Sequence, residues 1–138
     1  MLLGIKNMLL AIIFGKVMLL TPYPVNINEH GVEIVPQKPI SAIMQGATIE
    51  IDVTNYIKPD IDYIVAQKIF PKGSVNAVLE LADGIKIPLT NNGVAMSNTY
   101  SRLILVGDIP AKINILKISL KSKLTINGAG VYWKNYSK

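Results

Sequence analysis

Side chains able to move protons, attack carbon or hold a metal are few in this chain. It has one histidine, His30, and no cysteine. A zinc site would need carboxylates around that single imidazole, an uncommon ligand set. Serine–histidine–acid catalysis would need His30 beside one particular serine, and no nucleophile-elbow pattern is present. His30 belongs to a short polar turn, Asn28-Glu29-His30, and reads as an exposed turn residue.

Carboxylates come in two close pairs. Glu50 and Asp52 alternate with Ile49, Ile51 and Val53, so on a strand they project from one face about 7 Å apart. A carboxylate pair can hydrolyse a glycosidic bond, which makes Glu50 and Asp52 the hydrolase candidates. Asp60 and Asp62 flank Ile61 just after Pro59; they are the metal candidates, suited to calcium through oxygen ligands. Strand alternation alone produces the first pair and turn preference the second. No glycine cluster has the spacing of a phosphate-binding loop. The expectation is therefore a protein without enzymatic activity and without a cofactor.

Binding chemistry gathers near the C-terminus. In a strand over residues 131–136, Tyr132, Lys134 and Tyr136 share one face, and Val131 and Trp133 share the other. Tyrosine joins a broad apolar body to a polar tip, so Tyr132, Lys134 and Tyr136 form a candidate platform for a sugar ring or a protein partner. Only this strand interleaves aromatic and basic residues, so no nucleic-acid partner is expected.

The elements that must carry these residues are short strands. Residues 47–54 alternate apolar and polar, the period of a half-buried strand. Residues 62–70, apolar on both parities, read as a strand covered on both sides. Residues 77–81 and 85–89 flank Ala82-Asp83-Gly84. A two-residue loop would set Leu81 against Lys86. A three-residue loop instead pairs Leu81 with Ile85 and Leu79 with Ile87, and sets Glu80 opposite Lys86, so the side-chain pattern selects the longer loop. Pro88 then belongs on an edge or at a strand end.

Asn91-Asn92-Gly93 predicts a second tight turn. Residues 103–106 are a wholly apolar strand. Across residues 113–120 the apolar phase shifts from Ile113 and Ile115 to Leu116, Ile118 and Leu120, which predicts a bulge near Ile115-Leu116. Frequent Gly, Pro and Asn turns with no helical period give an antiparallel β-sandwich over residues 21–138, jelly-roll or immunoglobulin-like. A domain of that size needs no disulfide to hold its core.

One stretch differs. Fifteen of residues 1–20 are apolar, and as a helix they would span about 30 Å, the thickness of a hydrocarbon core. Lys6 resembles the charged start of a secretory signal, and residues 8–15 match its apolar middle; no small-x-small cleavage site follows. The expectation is an uncleaved signal-anchor helix over residues 1–20, with Thr21-Pro22-Tyr23-Pro24 as a stiff stalk and the β domain outside the cytoplasm. The alternative is an apolar helix packed between the subunits of a filament or virion-like particle.

Charge is unevenly distributed. The net charge is +5, but residues 21–83 hold four lysines against eight acids, net −4, whereas residues 84–138 hold eight basic residues against one acid, net +7. Such polarity suggests head-to-tail association of copies, with Lys134 meeting acids such as Glu50 and Asp52 of a neighbour.

Overall fold

The computed structural model describes residues 16–59, 61 and 63–135. Residues 1–15 of the apolar helix expected over residues 1–20, the metal candidates Asp60 and Asp62, and Tyr136 lie outside the described residues. Among the described residues, ten strands form two curled antiparallel sheets. The large sheet runs β1 (Lys16–Leu19), β10 (Val131–Asn135), β4 (Thr48–Asp52), β7 (Ser101–Val106), β6 (Lys86–Met96), β5 (Val75–Leu81), β8 (Ile115–Ser122) and β3 (Val32–Ile34). The small sheet pairs β2 (Val25–Ile27) with β9 (Ile126–Ala129).

Alternation decides which side chains fill the core. Ile49 and Ile51 of β4 pair with Leu105 and Leu103 of β7 and with Trp133 and Val131 of β10, and all six are buried. Farther along, Leu79 sits between Ile87 and Ile118 on the same inner face. Ile27 and Ile126 of the small sheet are also fully buried in this core. Each fully buried aliphatic side chain contributes about 1.5–3 kcal/mol relative to exposure.

The β5–β6 hairpin has the register the side-chain pattern requires. Glu80 pairs with Lys86 and Leu79 with Ile87, while the Leu81 amide donates to the Ile85 carbonyl at 2.9 Å. Gly84 takes the positive φ of 88° that closes the three-residue loop, and Asp83 Oδ1 accepts the Ile85 amide at 3.0 Å. Pro88 pairs with Val78 on one side. On its other side β7 has already ended at Val106, so no ladder bond is lost there. Gly107 follows, so close that a Cβ would lie 2.4 Å from the Pro88 carbonyl oxygen.

The bulge in β8 also falls where the phase shift puts it. Glu80 opposes Lys117 but Leu81 opposes Ile115, so Leu116 is the extra residue. Ile115, Ile118 and Leu120 stay buried, and Leu116 turns outward, about half exposed.

Four expectations are corrected. Residues 16–19 are not helical: they form β1, antiparallel to β10, with Met18 opposite Trp133 and Leu19 opposite Tyr132. Leu20 is buried and its amide donates to the Val131 carbonyl at 2.8 Å. The β domain thus begins by residue 16, not 21, and the Thr21-Pro22 segment leaves a strand rather than a helix. Second, the segment expected as a strand over 62–70 contains α1 (Tyr63–Ile69). Ala66 is buried and the Phe70 amide bonds its carbonyl, so Ala66 and Phe70, one turn apart, face the core while Ile64 and Val65 face outward. Both parities are apolar in that run, so alternation does not single out a strand, and the helical spacing of Ala66 and Phe70 gives one buried stripe.

Third, Asn91-Asn92-Gly93 is not a hairpin turn. It is a bulge inside the continuous strand β6, where the register to β7 slips between Asn91 and Val94 and Gly93 has a φ of 99°. The turn chemistry is real, but tertiary pairing uses it to bend a strand. Fourth, the halves of opposite charge do not form opposite surfaces. The sheet order interleaves them, and each of the five ion pairs between described residues joins an acid from residues 21–83 to a base from residues 84–138.

Two buried asparagines tie loops to this frame. Asn91 Oδ1 accepts the amides of Gly73 and Val75 at 3.0 Å, and its Nδ2 donates to the carbonyls of Phe70 and Pro71. Asn135 accepts the Ile43 amide and donates to the Ser41 carbonyl, while Ile40 and Ala42 bridge to Ile115 and Ala111. The 40–43 segment therefore crosses from β8 to β10.

Candidate functional site

The outer face of β10, β4 and β7 carries the densest chemistry. Tyr132 and Ile104 flank Glu50 in register, and Arg102 pairs with Asp52. Glu50 is buried, only 3% exposed, although it points to the side opposite the apolar core. Each of its oxygens faces a cation: Arg102 Nη1 is 3.7 Å from Oε1, and Lys134 Nζ is 3.7 Å from Oε2. Arg102 Nε lies 4.0 Å from Asp52 Oδ2, and Asp52 Oδ1 accepts the Thr54 amide at 2.9 Å.

The Arg102 guanidinium is also held between two rings, 4.1 Å from the centre of Tyr100 and 4.0 Å from that of Tyr132. Each contact contributes about 0.5–2 kcal/mol. Space for the Tyr132 ring comes from Gly130, where a Cβ would meet that ring at 3.2 Å. The Asp52 amide donates to the Gly130 carbonyl, placing this glycine beside the carboxylate.

A groove of about 300 Å³ opens beside the cluster, lined by Leu19, Pro22, Tyr23, Asp52, Gly130 and Tyr132 among others. The segment expected to be a stalk therefore forms one wall of it. Another cleft, of about 450 Å³, lies between the 45–46 and 107–110 loops. His30 is placed on a third surface, in a shallow depression with Glu33, Lys86 and Lys121. Its backbone amide donates to Asn28 Oδ1.

The structure thus brings together on one face the carboxylate pair Glu50 and Asp52 and two members of the candidate platform, Tyr132 and Lys134. Lys134 pairs with Glu50 of its own chain, where association through a neighbour's acids was expected. One face of the Tyr132 ring is taken by Arg102. Among the described residues no group of three His, Cys, Asp or Glu side chains is placed to hold a metal. Two participants, Arg102 and Tyr100, were not singled out from the sequence. Their spacing of two residues marks a shared strand face, but nothing local says that this face lies beside Glu50.

The described arrangement is chemically balanced: two carboxylates, two cations. It fixes three strands to one another. Among the described residues, no helix is long and apolar enough to cross a membrane. Comparison with protein-family models, curated proteins and solved structures finds no match.

Proposed function

We propose that this is a non-enzymatic assembly module: a β-sandwich of the jelly-roll or immunoglobulin-like kind that joins neighbouring subunits of a filament or particle through its apolar N-terminal segment. The observation carrying this reading is the placement of Lys16–Leu19 as an edge strand of the large sheet. The apolar stretch enters the sheet with no linker between them, an arrangement suited to delivering it to an adjoining subunit.

A second reading, favoured by the apolar composition of residues 1–20, is a membrane-tethered binding module with its β domain outside the cytoplasm. Fractionation followed by size measurement of the full chain in detergent separates the two. An assembly module remains oligomeric in detergent, whether or not it pellets with membranes. A tethered module goes to the membrane fraction and becomes a monomer once solubilised. A full-length chain that is monomeric in the soluble fraction would defeat both.

A further inference from the structure

We propose that Asn127–Gly128 is a self-modifying site: the asparagine cyclises onto the glycine amide and opens to isoaspartate, and Asn26 is the brake on that reaction.

A glycine directly follows Asn or Asp at Asp83–Gly84, Asn92–Gly93 and Asn127–Gly128. With no Cβ on the second residue, its main-chain nitrogen is sterically open to ring closure. What separates the three steps is how firmly each is held.

The large sheet holds the first two. The Gly84 amide donates to the Leu81 carbonyl at 2.9 Å, and Asp83 Oδ1 accepts the Ile85 amide at 3.0 Å. An ionised carboxylate is in any case a poor electrophile. Asn92 and Gly93 lie inside β6, with β5 on one side and β7 on the other. Register pairs Asn91–Leu105 and Val94–Leu103 close that bulge at both ends. Freeing the Gly93 amide requires a central strand to open, and core strands open least.

Asn127–Gly128 is held more lightly. β9 belongs to the small sheet, where β2 is its one strand partner among the described residues. Asn127 and Gly128 are both exposed. Gly128 has a φ of 67°, and a Cβ there would meet nothing within 4 Å. Its amide donates to Oδ1 of Asn26 at 2.9 Å, and Asn26 is itself exposed. A side-chain bond at the surface opens far more readily than a ladder bond in the middle of a sheet.

Once that bond opens and base removes the amide proton, the Gly128 nitrogen adds to Cγ of Asn127. The N–Cγ bond forms, the Cγ–Nδ2 bond breaks, and Nδ2 leaves as ammonia with protons from water. The product is a five-membered succinimide. Water then opens the ring: cleavage at Cγ gives aspartate, and cleavage at the main-chain carbonyl gives isoaspartate. The sum is carboxamide plus water to carboxylic acid plus ammonia, with no oxidation or reduction. Isoaspartate adds one carbon to the main chain between Ile126 and Ala129, both buried. That carbon must be absorbed between the Ile27–Ile126 and Val25–Ala129 pairs, where the register already shifts. The change is a one-way loosening of the small sheet.

The full-length chain in detergent is aged in warm, mildly alkaline buffer and digested with trypsin. Residues 124–134 and 87–102 then fall in separate peptides, and tandem mass spectrometry with isoaspartate methyltransferase labelling reads each site. Isoaspartate is expected to accumulate at Asn127 ahead of Asn92. Asn26→Ala should accelerate the Asn127 reaction about three- to tenfold, the range set by losing one exposed hydrogen bond, with the Asn92 rate unchanged. Asn26→Asp, which keeps an acceptor oxygen, should hold the Asn127 rate near that of the natural chain. Conversion at Asn92 as fast as at Asn127 would overturn the site. An Asn127 rate indifferent to Asn26→Ala, or a rise at both asparagines together, would overturn the brake.

Discussion

The guanidinium carbon of Arg102 lies 4.0 Å from the ring centre of Tyr132, although their strands, β7 and β10, do not pair with each other. Both flank β4, and the long side chain reaches over it. This contact locks a buried carboxylate between two outer strands. Removing one partner of a buried ion pair commonly costs about 3–5 kcal/mol because a charge is left uncompensated. Glu50 keeps Lys134, so Arg102→Leu is expected to cost about 3 kcal/mol in urea unfolding. In a double-mutant cycle with Glu50→Gln, the coupling should exceed about 1 kcal/mol. Strict additivity would mean that Arg102 acts through Asp52 and the tyrosines rather than through Glu50.

Asn91 anchors the connection between α1 and β5. Asn91→Ala strands buried amides and carbonyls and should cost about 1–3 kcal/mol. Asn91→Asp should be destabilising too, because a carboxylate cannot donate to the Phe70 and Pro71 carbonyls. Hydrogen exchange at the Gly73 and Val75 amides, which both donate to Oδ1 of this side chain, should accelerate in Asn91→Ala before the rest of the sheet responds.

The Lys117 ammonium is held above its usual pKa of 10.5, first by the charge of Glu33 and then by Glu80. A cation whose pKa rises on folding contributes stability that is fully present below the unfolded value and is lost as pH climbs through the folded one. The stability difference between the natural chain and Lys117→Met should thus be constant at neutral pH and shrink above about pH 10.5. The pair sits at the surface, so the difference should also fall with added salt. Thermal melts across pH and salt read both effects; a difference that grows with pH would contradict the assignment.

At Gly107 the constraint is space. A methyl group there would meet the Pro88 carbonyl oxygen at 2.4 Å and a Leu89 methyl at 2.5 Å. Gly107→Ala should lower stability by about 1–3 kcal/mol through overpacking, measurable by denaturant unfolding. A neutral result would mean that β6 can shift away at no cost.

Where the chain is cut should matter. A protein starting at residue 16 keeps β1, whereas one starting at residue 21 loses that strand and Leu20, and uncovers the Trp133 side of β10. The shorter form should be at least about 2 kcal/mol less stable, the value of one buried leucine. Equal unfolding midpoints would show that β1 contributes nothing to the domain.

Much of the sheet was legible in local pattern. The Leu79–Ile87 register and the displacement of Leu116 follow from side-chain parity, because a slip of one residue would turn the core outward. Other elements depend on distant partners. Lys16–Leu19 reads as part of an apolar helix until β10 is known to lie beside it. Asn91-Asn92-Gly93 has the chemistry of a turn, and pairing to β7 makes it a bulge. Glu50 and Asp52 were visible as a pair, yet no local signal placed Arg102 between them.

The charge asymmetry along the chain has a meaning in time. Acids of the first half wait for bases of the second, and β1 pairs with the last described strand. As the ribosome delivers the chain, β1 and β4 emerge without the neighbours that bind them in the folded sheet. Non-local pairing of this kind is intrinsically slow. The domain can therefore close over β1 only after β10 has left the ribosome.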